Sequence, residues 1–210
     1  MARAKTKADA QAQHSAVGSR QAILDAALQT FARNGYDGAS MPGIARLAGV
    51  APPLIHYYFE SKENLWRETV DYSLGELRGE ATAVLRATRS LAPLDRLRTL
   101  LQVFAQFAAG CPDHFSMIVA EARADSDRFA WLQEHYTGQL FEEVVAVLVE
   151  AREAGVIRDV PLKDLAVILI GGILVHFTIY PPQATGRDSE RDSSRFVDFL
   201  FELLTRGVAA

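Results

Sequence analysis

The sequence SMPGIARLAGVAPPLIHYYFESK, residues 40–62, decides how the first part of this chain folds. It predicts a helix, a three-residue turn and a second short helix. Gly49 stands where the first helix ends and the backbone must adopt a positive φ, which only glycine does at low cost. Pro52 and Pro53 stand at the start of the second helix, where proline sacrifices no hydrogen bond. The stretch therefore predicts a helix-turn-helix, whose second helix is free to enter a DNA major groove.

Apolar residues at helical spacing define the inward face of this motif. The six positions predicted to face inward are Ile44, Ala45, Ala48, Val50, Ile55 and Tyr58. Before the motif, Ser19 is suited to cap a helix over about 20–34, which Gly35 ends. One apolar stripe on that helix comprises Ile23, Leu24, Ala27, Leu28 and Phe31. A plain helical corner has the same spacing, so the motif alone leaves both DNA binding and a purely structural role open.

The flanking sequence carries a family resemblance. The runs ILDAALQTFARNGYDGAS, IARLAGV and HYYFESKENL, within residues 20–71, resemble the DNA-binding domain of the tetracycline-repressor (TetR) family of transcriptional regulators. The remaining two-thirds of the chain is similar only to the general plan of that family. The resemblance implies an all-α protein, in which a three-helix DNA-binding domain precedes a helical effector-binding and dimerisation domain. The predicted divisions are a disordered arm (1–18), the DNA-binding domain (19–66) and the helical body (67–210).

The helix over about 52–59 would be the recognition helix. It contains no Arg, Lys, Asn or Gln, the side chains that make bidentate contacts to bases. Base readout would therefore depend on His56 and Tyr57, with thymine-methyl contacts from Pro53 and Leu54. Many relatives in the resembled family carry a polar N-cap and a lysine near Ala51 and Pro52, so this chain departs from their pattern.

Phosphate contacts are predicted at the ends of these helices. Ser40 caps the second helix and places its hydroxyl where a phosphate could be met. Lys62 lies in the first turn of a new helix, where the helix N-terminus attracts phosphate, and the resemblance implies a DNA-backbone contact by the matching lysine. The predicted DNA-binding residues are Ser40, Met41, Pro52, Pro53, Leu54, His56, Tyr57 and Lys62.

The charges are distributed unevenly, although the net charge of the whole chain is −4. Residues 1–67 contain eight Lys and Arg against five Asp and Glu, whereas the remainder contains 14 against 21. A basic end on an acidic body is expected of a protein that meets phosphate at one end only. Cys111 is the single cysteine, so no disulfide can form within the chain, and a reducing cytoplasm is the expected location.

The body is predicted to be entirely helical, without a strand. Its predicted helices lie at about 65–89, 94–109, 113–124, 126–153, 162–180 and 194–206. No signal peptide is expected, since the N-terminus is polar. The most apolar run, 165–180, is shorter than the ~20 residues that cross a bilayer, and it is interpreted as a buried helix of a soluble protein.

The last two helices predict a homodimer formed through a four-helix bundle. The first is apolar on nearly all sides and would need to be covered on each of them. The alternative is that it forms the core of a monomer. The residues predicted to form the dimer interface are Leu169, Gly172, Ile173, Phe196, Phe199, Leu200 and Leu203.

A small-molecule pocket is predicted in the body, for an unidentified apolar or aromatic effector anchored by His135 or His176. Each of its candidate residues could equally be an ordinary core residue. These candidates are Phe104, Phe107, Phe115, Trp131, His135, His176 and Phe177. No catalytic motif and no residues at metal-ligand spacing are found, so neither an enzyme activity nor a metal or other cofactor is predicted.

The sequence thus predicts a ligand-responsive, homodimeric transcriptional regulator, most simply a repressor, bound to a palindromic double-stranded DNA operator. A helical small-molecule-binding protein without sequence-specific DNA binding is the alternative. The acidic net charge and the absence of Arg and Lys from the recognition helix favour that alternative.

Overall fold

The computed structural model describes residues 2–124, 126–182, 186 and 188–208, and this part of the chain is helical, with no β-strand. The helices are α1 (Ala2–Gly38), α2 (Met41–Leu47), α3 (Pro52–Phe59), α4 (Lys62–Ala87), α5 (Pro93–Gly110), α6 (Pro112–Ala124), α7 (Asp127–Leu132), α8 (Gly138–Glu153), α9 (Leu162–Ile179) and α10 (Ser189–Val208). The all-α prediction is confirmed. Two compact units are present, residues 1–73 and residues 74–210, and the boundary between them falls within α4.

The first helix is longer than the sequence analysis predicted. It begins at Ala2, whereas residues 1–18 were expected to be disordered and the helix was expected from residue 20. Met1 lies outside the described residues. The segment 2–17 is rich in Ala, also carries Gln and Lys, and contains neither Gly nor Pro, so its intrinsic helix propensity is high. The predicted end is seen at Gly35, whose φ of 66° interrupts the helical backbone.

The core of the first unit is built by α1, α2, α3 and the start of α4. The predicted stripe of α1 is buried throughout, from Ile23 to Phe31. α4 contributes Leu65, Trp66 and Val70, each with 0% exposure. Polar contacts between α1 and α4 add to this packing, because the Tyr72 hydroxyl donates a hydrogen bond of 2.9 Å to the Asp25 carboxylate.

The second unit is organised around α5, which packs against α6, α8, α9 and α10. Its buried residues include Leu97, Leu100, Leu101, Ala105 and Ala108, all with 0% exposure. This stripe recurs every three or four residues, as expected of a helix covered along one broad face.

The segment predicted as one helix over 126–153 has three parts. α7 and α8 are joined by a π-helical turn at Gln133–Thr137. In that turn the Gly138 N–H donates to the Gln133 carbonyl, five residues back. A Cβ on residue 138 would lie 2.5 Å from the Gln133 carbonyl oxygen, so glycine is the residue that this turn accommodates. The prediction placed the helix correctly but missed the turn.

α9 is apolar on all sides, but only one stripe of it is buried within the unit. The buried residues are Leu162, Ala166, Leu169, Ile173 and Phe177. By length and composition alone, α9 could cross a membrane, and 28% of it is buried within the protein. The expectation that every side would be covered is therefore not met within one chain.

Candidate DNA-binding face and ligand cavity

The turn between α2 and α3 is built by the predicted residues. Ser40 caps α2, since its Oγ accepts a hydrogen bond of 3.2 Å from the Gly43 N–H. Gly49 has a φ of 68°, and the Val50 N–H then donates to the Ala45 carbonyl at 3.0 Å. This pair of features ends α2 and redirects the chain toward α3, which begins at Pro52.

The inward face of this motif is close to the prediction. Ile44, Ala45 and Ile55 are 0% exposed, whereas Ala48, Val50 and Tyr58 are half-buried. Phe59 is also 0% exposed and fills the end of α3. The guanidinium of Arg20 lies over the Phe59 ring, 5.4 Å from its centroid. The orientation of α3 within the unit is therefore determined on its inner side by packing.

The outer side of α3 presents most of the predicted base-reading residues to solvent. Pro52, Pro53 and His56 are exposed, and Tyr57 is 78% exposed. Leu54 is half-buried and offers only part of its side chain. An aromatic ring stabilises the core of a protein only where it is buried. A tyrosine exposed to this degree therefore has no role in the core.

Neighbouring contacts hold the exposed end of α3 in place. The rings of Tyr57 and Tyr58 meet edge to face, with centroids 5.3 Å apart and planes at 71°. The Glu60 N–H donates to the His56 carbonyl at 3.0 Å, which closes the helix. Glu60 adopts φ 57° and ψ −51°, a backbone conformation that costs an L-residue of its kind about 1–3 kcal/mol.

Met41 differs from the other predicted DNA-binding residues. It is 7% exposed and contributes to the core, so its side chain is not available to a phosphate or a base. As the first residue of α2, Met41 could contact DNA only through its backbone at the helix N-terminus. Ser40 is exposed, and its hydroxyl retains a proton to donate while the oxygen accepts from Gly43.

Lys62 lies at the start of α4, as predicted, and is held by residues that the sequence analysis did not include. Its Nζ lies 4.4 Å from the centroid of the Tyr36 ring and 3.5 Å from the Asp37 carbonyl oxygen. Ser61 caps α4 by accepting from the Asn64 N–H at 3.1 Å. A phosphate here would meet both the ammonium group and the positive end of the α4 dipole.

Arg46 is a cation that the sequence analysis missed. It is exposed in the last turn of α2, on the side opposite the buried Ile44 and Ala45. Among the side chains described in this unit, the salt bridges engage Arg20 and Arg67 with glutamates, but neither Arg46 nor Lys62. The helical spacing of Arg46 from the buried residues predicts that it faces solvent, and this could have identified it from the sequence.

A cavity of about 470 Å³ lies in the second unit, between α4, α5, α6, the α7–α8 segment and α9. Thirteen of its sixteen described lining residues have apolar side chains, and Gly138 also lines it. The two polar side chains are Gln133 and Thr137, the first and last residues of the π-helical turn. The volume falls within the range of small-molecule sites.

Two of the predicted ligand-binding residues, Phe104 and Phe115, line this cavity. The other five do not belong to its described wall: Phe107, Trp131, His135, His176 and Phe177. His135 stacks on Trp131 with centroids 4.6 Å apart, and its Nδ1 lies 2.8 Å from the Trp131 carbonyl oxygen. A carbonyl only accepts, so this contact requires the proton on Nδ1. His176 stacks on Phe196 with centroids 4.0 Å apart.

The predicted dimer residues divide into buried and exposed sets. Leu169, Ile173 and Leu200 are at most 9% exposed and form core within the unit, while Gly172 and Phe196 are half-buried. Phe199 and Leu203 are 52% and 54% exposed. The exposed apolar residues of α9 that the prediction missed are Val167, Ile168, Val175 and Ile179, at 58%, 65%, 56% and 60%. Because α9 is apolar on every side, its spacing gave no signal for which side faces solvent.

Cys111 has no feature of a reactive thiol. Burial raises the pKa of its thiol, and the negative charges of Glu76 and Asp113 raise the pKa further. The nucleophilic thiolate is therefore disfavoured. Among the described residues, no group of three or more His, Cys, Asp or Glu is arranged to hold a metal ion.

Comparisons with known proteins agree with this geometry. A family model described as bacterial regulatory proteins, tetR family, matches residues 23–69, which include α2 and α3. The chain is 35% identical over 130 residues to the HTH-type transcriptional regulator BetI of Rhizobium meliloti (strain 1021), a match covering 62% of this chain and 57% of BetI. It is 28% identical over 172 residues to the HTH-type transcriptional regulator RutR of Escherichia coli (strain K12), covering 78% of this chain and 76% of RutR.

The fold is also that of a solved structure. The ketosteroid transcriptional regulator KstR2 of Mycobacterium tuberculosis has a TM-score of 0.76 to this chain and 21% sequence identity, covering 91% of this chain and 95% of KstR2. The match to BetI spans little more than half of that relative's length.

Proposed function

Since this chain belongs to the TetR family of transcriptional regulators, we propose that it is a ligand-responsive repressor that binds a palindromic operator as a homodimer. The observation that carries this proposal is the outer side of α3. There, exposed His56 and Tyr57 stand on a short helix whose inner side is fixed by buried Ile55 and Phe59. A rigid helix with exposed hydrogen-bonding groups at its surface suits insertion into a major groove.

Phosphate contacts would position this helix. Lys62 at the start of α4, Ser40 at the start of α2 and Arg46 at the end of α2 are the proposed contacts. Lys62 and Arg46 supply positive charge, and Ser40 supplies a hydroxyl proton. Contacts of this kind fix register on the duplex and carry no sequence information themselves.

The homodimer would form through exposed apolar residues of α9 and α10. Ile168, Val175 and Ile179 lie on one side of α9, and Phe199 and Leu203 are four residues apart on α10. Exposed apolar groups at this density mark an interaction surface on a soluble protein. A two-fold dimer would require operator half-sites about 34–36 Å, or a multiple of that distance, apart. Covering α9 in this way also accounts for its apolar character without a membrane and supports a cytoplasmic location.

A ligand in the cavity would control DNA binding. α4 begins at Lys62, and further along the same helix Leu74 and Leu77 contribute to the cavity wall. A ligand that favours one conformation of α4 by ~1–3 kcal/mol would change operator affinity about 5- to 150-fold.

The proposal is tested by selecting random DNA duplexes with the purified protein at physiological salt. We expect a palindrome to be enriched. A folded protein that enriches no sequence would favour the alternative of a helical small-molecule-binding protein without sequence-specific DNA binding. The absence of Arg, Lys, Asn and Gln from α3 is the observation that keeps this alternative in the test.

A further inference from the structure

The cavity of the second unit has a described wall without charge. None of its sixteen described lining residues is Asp, Glu, Lys, Arg or His. A charged group placed there would lose hydration without meeting an opposite charge, which opposes its entry. An uncharged molecule with an apolar body loses nothing comparable and releases the water held against the apolar wall.

The two polar side chains of the wall come from the same turn of the chain. Gln133 and Thr137 are four residues apart, at the two ends of the π-helical turn, and Gly138 follows directly. Gln133 is exposed and Thr137 is half-buried, so solvent reaches this part of the wall, as it does at the exposed wall residue Val167. Insertions of this type interrupt regular helices and are frequent at functional sites.

We propose that the cavity selects an uncharged, mainly apolar molecule that places a single hydrogen-bonding group against Gln133 and Thr137. This inference rests on the proposed ligand response and specifies its chemistry. The volume of about 470 Å³ equals that of roughly fifteen water molecules in the liquid. Molecules of two or three fused or linked rings, or an aliphatic chain of similar bulk, have the matching size. Anionic and cationic molecules of that size are excluded by the wall.

The test uses two fluorescent dyes that share a skeleton and differ in charge. N-phenyl-1-naphthylamine is neutral and has one N–H donor, and 8-anilino-1-naphthalenesulfonate is the same skeleton with a sulfonate. Titration of the full chain, without DNA, gives an affinity for each dye. We expect the neutral dye to bind at least tenfold more tightly. Equal affinities, or tighter binding of the sulfonate, would overturn the proposal.

Variants then test the site and the role of its polar residues. Thr137→Val keeps the shape of the side chain and removes the hydroxyl, and it should weaken binding of the neutral dye about 3- to 10-fold. Thr99→Val, at a half-buried threonine of α5 outside the cavity wall, is the matched control. If both variants bind the dye as the wild type does, the hydroxyl has no part in recognition and the assigned orientation is wrong.

A shift in charge selectivity provides a second, independent measurement. Gln133→Lys adds a cation at an exposed position of the wall, where the fold can tolerate it, and should raise affinity for the sulfonate dye several-fold. Gln139→Lys, at an exposed glutamine outside the cavity wall, is its control and should leave selectivity as in the wild type. An equal gain in both lysine variants would show a general surface effect and contradict the assigned site.

A separate measurement distinguishes this inference from the proposed function. The dyes are added to the complex of protein and selected operator. Release by the neutral dye supports both proposals. Tight, Thr137-dependent binding without release leaves the chemistry of the cavity supported and contradicts control of DNA binding by this site.

Discussion

The ammonium group of Lys62 lies 4.4 Å from the centroid of the Tyr36 ring, and this contact holds the positive charge near the start of α4. The ring attracts the ammonium group through its negative face without neutralising the charge. The charge remains available to a phosphate, while the lysine side chain loses part of the conformational freedom that binding would otherwise have to remove.

We predict that Lys62→Ala weakens binding to all DNA sequences to a similar extent. It should also lower the slope of log affinity against log salt by about 0.9 per subunit, because one phosphate contact is lost. Tyr36→Leu should produce a smaller loss, about 0.5–1 kcal/mol, since the charge remains. Fluorescence anisotropy over a salt series measures both. Lys163→Ala, at an exposed lysine of α9, is the control, and an unchanged slope in Lys62→Ala would exclude the phosphate contact.

His56→Ala should relax base preference at one position of each operator half-site. A lost base contact costs about 1–3 kcal/mol against the preferred base and little against the other bases. Affinities for a set of operators with single base substitutions measure this effect. Tyr57→Phe, which retains the ring and removes the hydroxyl, should likewise relax base preference if the hydroxyl contacts a base, and an unchanged profile would leave only apolar contacts to Tyr57. A His56→Ala profile that matches the wild type would exclude His56 from readout.

Glu60→Gly should stabilise the first unit by about 1 kcal/mol. The wild-type residue has φ 57° and ψ −51°, and relief of about 1–3 kcal/mol of strain exceeds the added entropy of glycine in the unfolded chain. The matched control is Glu63→Gly, in the first turn of α4, which should lower the free energy of unfolding by about 1 kcal/mol. Chemical denaturation measures both. Loss of stability in both variants would show that Glu60 is not strained.

The buried ion pair between Glu121 and Arg128 should be strongly coupled. The Glu121 side chain is 3% exposed and accepts hydrogen bonds from Arg128 Nε at 3.0 Å and from the Ser126 hydroxyl at 2.8 Å. Arg128→Met leaves the carboxylate without its cation and should cost about 3 kcal/mol, whereas the double variant with Glu121→Leu should cost less. A double-mutant cycle by chemical denaturation checks this. Simple additivity of the two losses would contradict the expected coupling.

We predict that Val175→Glu disrupts the proposed dimer, so that the variant is a monomer at micromolar concentration. Val175 is 56% exposed in one chain, so the variant chain can fold, but the carboxylate would be buried without a partner in the dimer. Sedimentation equilibrium measures the association constant. Val156→Glu, at an exposed valine after α8, is the control and should remain dimeric. A wild-type protein that sediments as a monomer at this concentration would contradict the proposed interface.

Local chemistry was sufficient to predict the turn between α2 and α3. Gly49, Ser40 and Pro52 each act on the backbone within a few residues, through positive φ, a capping hydroxyl and a missing N–H, so their effects can be read directly from the sequence. The burial of Met41 could not be read from the sequence, because it depends on how α2 packs against the rest of the unit.

The cavity wall was harder to predict, because the π-helical turn has no periodic signature. One inserted residue rotates everything after it by about 100° relative to a regular helix. The polar side chains of the cavity wall are therefore Gln133 and Thr137, while His135, which was predicted as a polar anchor, stacks on Trp131 instead. Gly138 is the local trace of the turn, but glycine also occurs within regular helices and at their ends, so it does not identify the turn by itself.

The apolar side chains of α9 lie on different sides of the helix and form three groups. Leu169 and Ile173 lie in the core, Ile170 and Leu174 line the cavity, and Ile168 and Val175 face outward. Most helices tolerate varied substitutions on their solvent-exposed face. Little of the surface of α9 is in contact with solvent alone in this arrangement. Random mutagenesis should therefore find that α9 does not tolerate charged residues along nearly its whole length, and the accepted substitutions should exchange one apolar side chain for another.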